Sequence, residues 1–157
     1  MIPKTAEYAL RAVVLLARTP ERSLSADEIA GIGQVPRRYT NKVLQTLVRA
    51  GLMRSQPGPG GGYSLLQKPE ELSILDVIQA VEPIPRIIRC PLGLKTHTTL
   101  CPLHQELDDA SAAAERAFGH VTIADLLTRR GVPPLRELEV PSKPMRGRVR
   151  CNEAVQD

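Results

Sequence analysis

The chain has 157 residues, 42% of them hydrophobic and 24% charged, enough to bury one sound core with an appendage but not two full domains. Three Tyr, one Phe and no Trp leave the core to aliphatic side chains, and of the formal charge of +4 the distribution along the chain says more than the sum. No run approaches the ~18 apolar residues of a membrane span, and the N-terminal stretch MIPKTAEYALRAVVLLA has charges inside it and no small-residue cleavage site. A cytoplasmic protein without a membrane partner is expected, its three cysteines serving as thiols or metal ligands rather than disulfides.

Apolar residues recur at helical spacing from Ala9 to Ala17, which predicts a first helix over roughly 3–18, stopped by Pro20. Ser25 and Glu28 then form an S-x-x-E capping box, with Leu24 and Ile29 placed as a hydrophobic staple, and open a short second helix ending at Gly31. The GIGQ stretch is a tight turn. A third helix is expected from about Pro36 to Ala50, with Gly51 as its left-handed cap. Its apolar face is Tyr39, Val43, Leu44, Leu47 and Val48, which leaves Arg37, Arg38, Thr40, Asn41, Lys42 and Gln45 pointing elsewhere. After it an extended run is reversed by SQPGPGGG and returns as YSLL, a two-stranded hairpin. Ser73 opens another helical pattern, broken by Pro83 and Pro85.

Residues 83–102 read as a loop holding Cys90, His97 and Cys101. From Leu103 a helical period returns, with Leu107, Ala110, Ala114, Ala117, Phe118 and Val121 on one stripe. Such a stripe with no later partner in its own chain is expected to meet its equal on a second copy. From Gly131 four prolines and alternating charges predict a disordered tail. The expected organisation is a first domain over 1–83, a Cys/His loop over 84–102, a dimerisation helix and extension over 103–130, and a tail over 131–157. Cys151, in that tail, reads as a bystander.

Helix, capped short helix, turn, polar-faced helix and Gly-rich hairpin, in that order, spell a mainly α winged helix-turn-helix with a two-stranded β-wing. Between Glu28 and Glu70 there is no acid, while Arg37, Arg38, Lys42, Arg49, Arg54 and Lys68 make a one-sign field suited to releasing counterions from duplex DNA. Arg and Lys suit guanine in the major groove, Asn41 and Gln45 suit adenine, and Thr40 suits a phosphate or a thymine methyl. Consecutive glycines in the wing let its backbone approach a phosphate or the minor groove, with Arg54 as the nearest cation.

GPGGGY after a helix of this type, followed by SILDVIQAVE, resembles the IscR/NsrR/CymR family of winged-helix regulators. YALRA, RRYTNKVLQTLVRAGL and TIADLL are similar to its pattern, and the resemblance covers residues 1 to about 130. It implies a homodimer held by the C-terminal helix, a palindromic operator in double-stranded DNA, and a sensor loop tuning its binding, with repression the expected direction. Base-reading positions carry over to Arg38, Asn41 and Lys42, and the wing to Gly58, Gly60, Gly61 and Gly62. Pro57 stands where many relatives place an arginine that enters the minor groove.

Cluster-binding relatives hold three Cys and a His in the loop, some with a carboxylate from the first helix of the partner. Cys90, Cys101 and His104 match, Glu7 falls at the carboxylate position, and the middle Cys is missing, so the resemblance implies an iron-sulfur cluster on Cys90, Cys101, His104 and Glu7. On the residues alone His97 would instead complete a tetrahedral zinc site with Cys90, Cys101 and His104, or the loop holds no metal and the cysteines are a reduced pair or a thiol switch. Two other functions compete: a winged helix that docks an acidic protein, and a Cys/His enzyme, although no nucleophile elbow, phosphate loop or paired carboxylates appear. An enzyme is not expected.

Overall fold

A computed structural model describes residues 2–93 and 99–129. His97 and the 131–157 tail with Cys151 lie outside the described residues. The described residues form six helices and one hairpin, all but the last helix in the expected order: α1 Lys4–Ala17, α2 Ala26–Ile32, α3 Arg37–Arg49, β1 Met53–Gln56, β2 Gly62–Leu65, α4 Ile74–Val81, α5 Pro102–Gly119 and α6 Ile123–Thr128.

Helix α1 is the axis of the core. Good helix formers carry it from the extended Pro3 to Arg18, and Ala6, Ala9, Ala12 and every residue from Val13 to Ala17 are buried. A helix buried on so many sides needs neighbours all around it; α2, α3, α4 and α6 supply them. The capping box on α2 forms as expected: the Ser25 hydroxyl accepts from the Glu28 amide, and the Glu28 carboxylate accepts from the Ser25 amide at 2.8 Å. Glu28 is buried, and Arg22 neutralises it at 3.1 Å.

Helix α2 continues past the expected stop at Gly31 to Ile32, with Gly33 as its cap and Gln34 in the left-handed region at φ 49° turning the chain toward α3. Pro36 stands just outside α3 as its N-cap rather than inside it, and Gly51, at φ 74°, follows the Ala50 cap at its far end. In the wing Met53 pairs with Leu65 and Gln56 with Gly62, antiparallel. Leu24 adds one rung outside Tyr63, giving and receiving a backbone hydrogen bond at 3.0 and 2.7 Å.

Past the loop, α5 ends at Gly119, and the chain returns to the winged-helix unit. Thr122 pairs with Ser73, the Ile74 amide donates to Val121, and the Ile123 amide donates to Leu72. Thr122 and Asp125 form a capping box that opens α6, whose Ile123, Leu126 and Leu127 join the core. Val121, expected on the α5 stripe, therefore lies beyond that helix, where its carbonyl closes the start of α4. Residues well past 83 complete the winged-helix core.

Candidate nucleic-acid interface and thiol site

The side chains of α3 divide sharply. Val43, Leu44 and Leu47 are buried with Tyr39 and Val48 half-buried beside them, whereas Arg37, Arg38, Asn41, Lys42, Gln45 and Arg49 are exposed. Steps of four residues put the exposed set on one face. The positions expected to read DNA, Thr40 apart, are thus brought together on a convex polar surface, at the size of element that fits the major groove. Arg38 lies over the Tyr39 ring at 4.9 Å, and Tyr39 itself packs on Tyr8 of α1 at 5.6 Å, so its guanidinium has a firm seat. Arg37 pairs with Asp27 at 3.0 Å, an acid that precedes the acid-free interval in sequence but meets it in space.

Thr40 departs from the expectation. Its side chain is 3% exposed, and its hydroxyl reaches the carbonyls of Pro36 at 3.2 Å and Val35 at 3.4 Å. It fastens the turn before α3 and presents nothing to solvent. In the wing, Arg54 projects on the exposed side and donates to the Ser64 hydroxyl across the hairpin at 2.8 Å. The glycines there have a reason within the chain as well. A side chain on Gly61 would sit 2.1 Å from the Gln56 carbonyl oxygen, and one on Gly62, at φ 146°, would strike the Leu24 carbonyl.

A second constellation lies at the start of α5. Cys101 is its N-cap, Pro102 its first residue and His104 the third, positions whose side chains face one another as Ser25 and Glu28 do in α2. Hence the Cys101 sulfur and His104 Nδ1 are 3.1 Å apart. Cys90 comes in from the loop, its sulfur 4.0 Å from that of Cys101 and 3.5 Å from His104 Nδ1, and all three residues are half-buried. Glu7 does not join them within the chain: it pairs with Arg11 one turn along α1.

Bond lengths decide what fits. With Zn–S of ~2.3 Å and Zn–N of ~2.0–2.1 Å, two sulfurs on one tetrahedral ion stand about 3.8 Å apart and a sulfur and a nitrogen about 3.6 Å. The Cys90–Cys101 and Cys90–His104 spacings of 4.0 and 3.5 Å match that figure, the Cys101–His104 spacing of 3.1 Å is shorter than it, and the group can hold a metal ion.

The expected contact stripe on α5 is open. Asp108 is the one buried residue of this helix, Leu103 and Leu107 are 65% and 50% exposed, Ala110 and Ala117 are exposed, and Ala114 and Phe118 are half-buried.

The model of a family described as Rrf2, iron-dependent transcriptional regulator, matches residues 2–129. The chain belongs to the Rrf2 family. BadM of Rhodopseudomonas palustris, classed with helix-turn-helix transcriptional regulators, is 33% identical over 126 residues, 80% of each chain. A helix-turn-helix regulator of Aquifex aeolicus is 29% identical over 127 residues, 78% of this chain and 88% of its own length. Among solved structures, T. potens IscR superposes with a TM-score of 0.67 at 22% identity, over 81% of this chain and 85% of its own. CymR, the global cysteine regulator of B. subtilis, gives 0.65 at 27% identity, over 80% and 95%. The Rrf2 winged helix explains the polar face of α3: this is a DNA-binding transcription regulator, of a family of regulators rather than enzymes. Among the described residues no helix is long and apolar enough to cross a membrane.

Proposed function

We propose that the chain represses transcription as a homodimer on a palindromic operator, and that a metal centre on Cys90, Cys101 and His104 sets its affinity. The observation that carries this reading is the exposed row Arg38, Asn41, Lys42 and Gln45 on a helix flanked by the wing. Arg38 and Lys42 would meet guanine edges, Asn41 and Gln45 adenine edges, and Arg37, Arg54 and the Gly58 to Gly62 hairpin the backbone. Thr40 is left out because it is buried. Leu103, Leu107, Ala110 and Ala117 supply the apolar row through which α5 would pack on a second copy.

The iron-dependent description of the family, together with IscR among the structural neighbours, supports an iron-sulfur cluster as the resident group. Its fourth ligand would be Glu7 from a second copy. Bound there, a cluster would supply sensitivity to oxidants and to iron supply. A single zinc ion, with His97 as the fourth ligand, is the second reading. The spacing of 3.1 to 4.0 Å favours it, since a cluster takes at most two protein ligands on one iron and would spread the third wider.

Anaerobic purification, metal analysis and a visible spectrum separate these readings. A cluster predicts iron and thiolate-to-iron absorption that Cys90→Ala abolishes; zinc predicts a colourless protein with one ion per chain; neither metal after reconstitution contradicts the site. Selection from genomic fragments tests the rest. An inverted repeat preferred by ~10³-fold or more over random duplex is expected. Equal binding to every duplex would favour a protein-docking winged helix.

A further inference from the structure

Cys90 reaches the thiol site at the end of a segment that has no regular structure. None of the residues 82–93 is fully buried; Ile88 and Leu92 are 90% and 60% exposed and Ile84 and Ile87 are half-buried, so apolar burial does little to hold this strap. Polar contacts do more. Arg86 Nε and Nη2 donate to the two oxygens of Asp108 at 2.8 and 2.7 Å, and the Ile87 amide donates to Asp108 Oδ1 at 2.8 Å. Arg86 Nη1 also donates to Glu115 at 2.8 Å, and Glu115 accepts from Gln79 of α4 at 3.2 Å.

The order of these contacts is informative. Gln79 meets Glu115, Arg86 meets Glu115 and Asp108, Ile87 meets Asp108, and Cys90 meets His104. The strap runs antiparallel to α5, and its two fixed points, Arg86 and Cys90, are four residues apart, as are Asp108 and His104 on the facing helix. One turn therefore separates the ion pair from the thiol site. A bidentate guanidinium–carboxylate pair fixes direction as well as distance. Asp108, alone among the α5 residues in being buried, is spent on that pair.

We propose that Arg86, Asp108 and Glu115 form a preset clamp that delivers the Cys90 thiol to Cys101 and His104 before any ligand arrives, and that ties that site to α4. These are positioning residues. The proposal rests on taking Cys90, Cys101 and His104 as one ligand group. Without the clamp, nine residues of irregular chain lead from the end of α4 to Cys90; with it, four lead to it from Arg86. Shortening a free tether raises the local concentration of the third ligand, and with it affinity for anything that needs all three. The Arg86 guanidinium and then the Ile87 amide hold the Asp108 carboxyl down at about 2, so the clamp is charged throughout the neutral range. Through Gln79 and Glu115 the same clamp touches α4, which packs on α3, the helix that faces DNA.

The full chain carrying Cys151→Ser, reduced and metal-free, separates the clamp from the metal reading by two probes. Phenylarsine oxide bridges two thiols and reports their juxtaposition without a metal; Co(II) reports the complete ligand group by thiolate-to-cobalt absorption. Asp108→Asn and Arg86→Gln should each weaken both probes roughly 10-fold, the lower end of what partners outside the ligand set contribute. Arg86→Lys, which keeps a cation beside both carboxylates, should recover part of that loss, with the helical signal in circular dichroism unchanged. Arsenical capture within twofold of the parent in both Asp108→Asn and Arg86→Gln would overturn the clamp. So would an Arg86→Lys variant that captures no better than Arg86→Gln, and so would a parent that captures no arsenical. A parent that captures the arsenical but binds no Co(II), with the variants ranked as expected, would sink the metal reading and leave the clamp standing.

Discussion

The winged-helix unit, α1 to α4 with α6, and the strap with α5 are held together by different means. In the first, α1 is wrapped by aliphatic side chains, and Leu15, Leu24, Leu44, Leu47 and Ile123 are fully buried. In the second, a single carboxylate is buried on an 18-residue helix, and the strap is fastened by an ion pair and a cluster of thiol and imidazole groups. Dispersion and the hydrophobic effect reward any close packing, so the shape of the first region depends little on oxidants or metal ions. Charge pairs and thiols are conditional: they respond to ions, oxidants and pH. In the proposed reading the first region is the platform that presents α3, and the conditional part sets its affinity for DNA.

The widest gap should appear in stability. Leu44→Ala should cost about 2–5 kcal/mol in urea unfolding, because it opens a cavity in the platform, whereas Leu103→Ala on exposed α5 should stay within ~0.5 kcal/mol in the monomer. Equal costs would erase the distinction. Leu107→Asp should turn a dimer into a monomer by light scattering and weaken operator binding at least ~30-fold while leaving the fold intact, as loss of an interface anchor of ~2 kcal/mol would. On α3, Asn41→Ala should cost about 1–3 kcal/mol of operator binding and relax the preference at one base position. Thr40→Val should instead lower stability by about 1 kcal/mol and leave base preference alone, a contrast that fluorescence anisotropy and urea titration resolve.

The smallest effect concerns acid. Because the Asp108 carboxyl is lowered to about 2, the contribution of the clamp is complete above the ordinary carboxylate range near 4 and is lost as the pH falls from about 4 through 2. Acid titration of Asp108→Asn, followed by circular dichroism, should lack that part of the pH dependence. A variant as acid-sensitive as the parent over this window would show that other carboxylates govern it.

What the sequence makes legible follows the range of the interaction. Ser25 with Glu28 and Ser73 with Asp76 announce helix starts because cap and partner are three residues apart, and the α3 pattern separates most core from exposed residues by periodicity alone. The same local signal, Thr122 with Asp125, marks α6, and it is passed over when the stripe from Leu107 is carried on to Val121. Thr40 is polar at a surface-like position, and nothing local shows that its hydroxyl turns back to Val35 and Pro36. Longer contacts leave no trace in periodicity. The Leu24 rung on Tyr63 and the Arg86 pair with Asp108 join residues far apart in the chain. Cys101 and His104 are legible as ligand types, but the route by which Cys90 reaches them is not.

A hydroxyl-radical footprint of the full chain on its selected operator puts the central claim to the most direct test. Two copies joined through α5 and reading with α3 predict two protected segments of equal extent, symmetric about a dyad and separated by a whole number of helical turns, with Asn41→Ala weakening both together. One unsymmetric protected segment, or an even fade along the duplex, would contradict it.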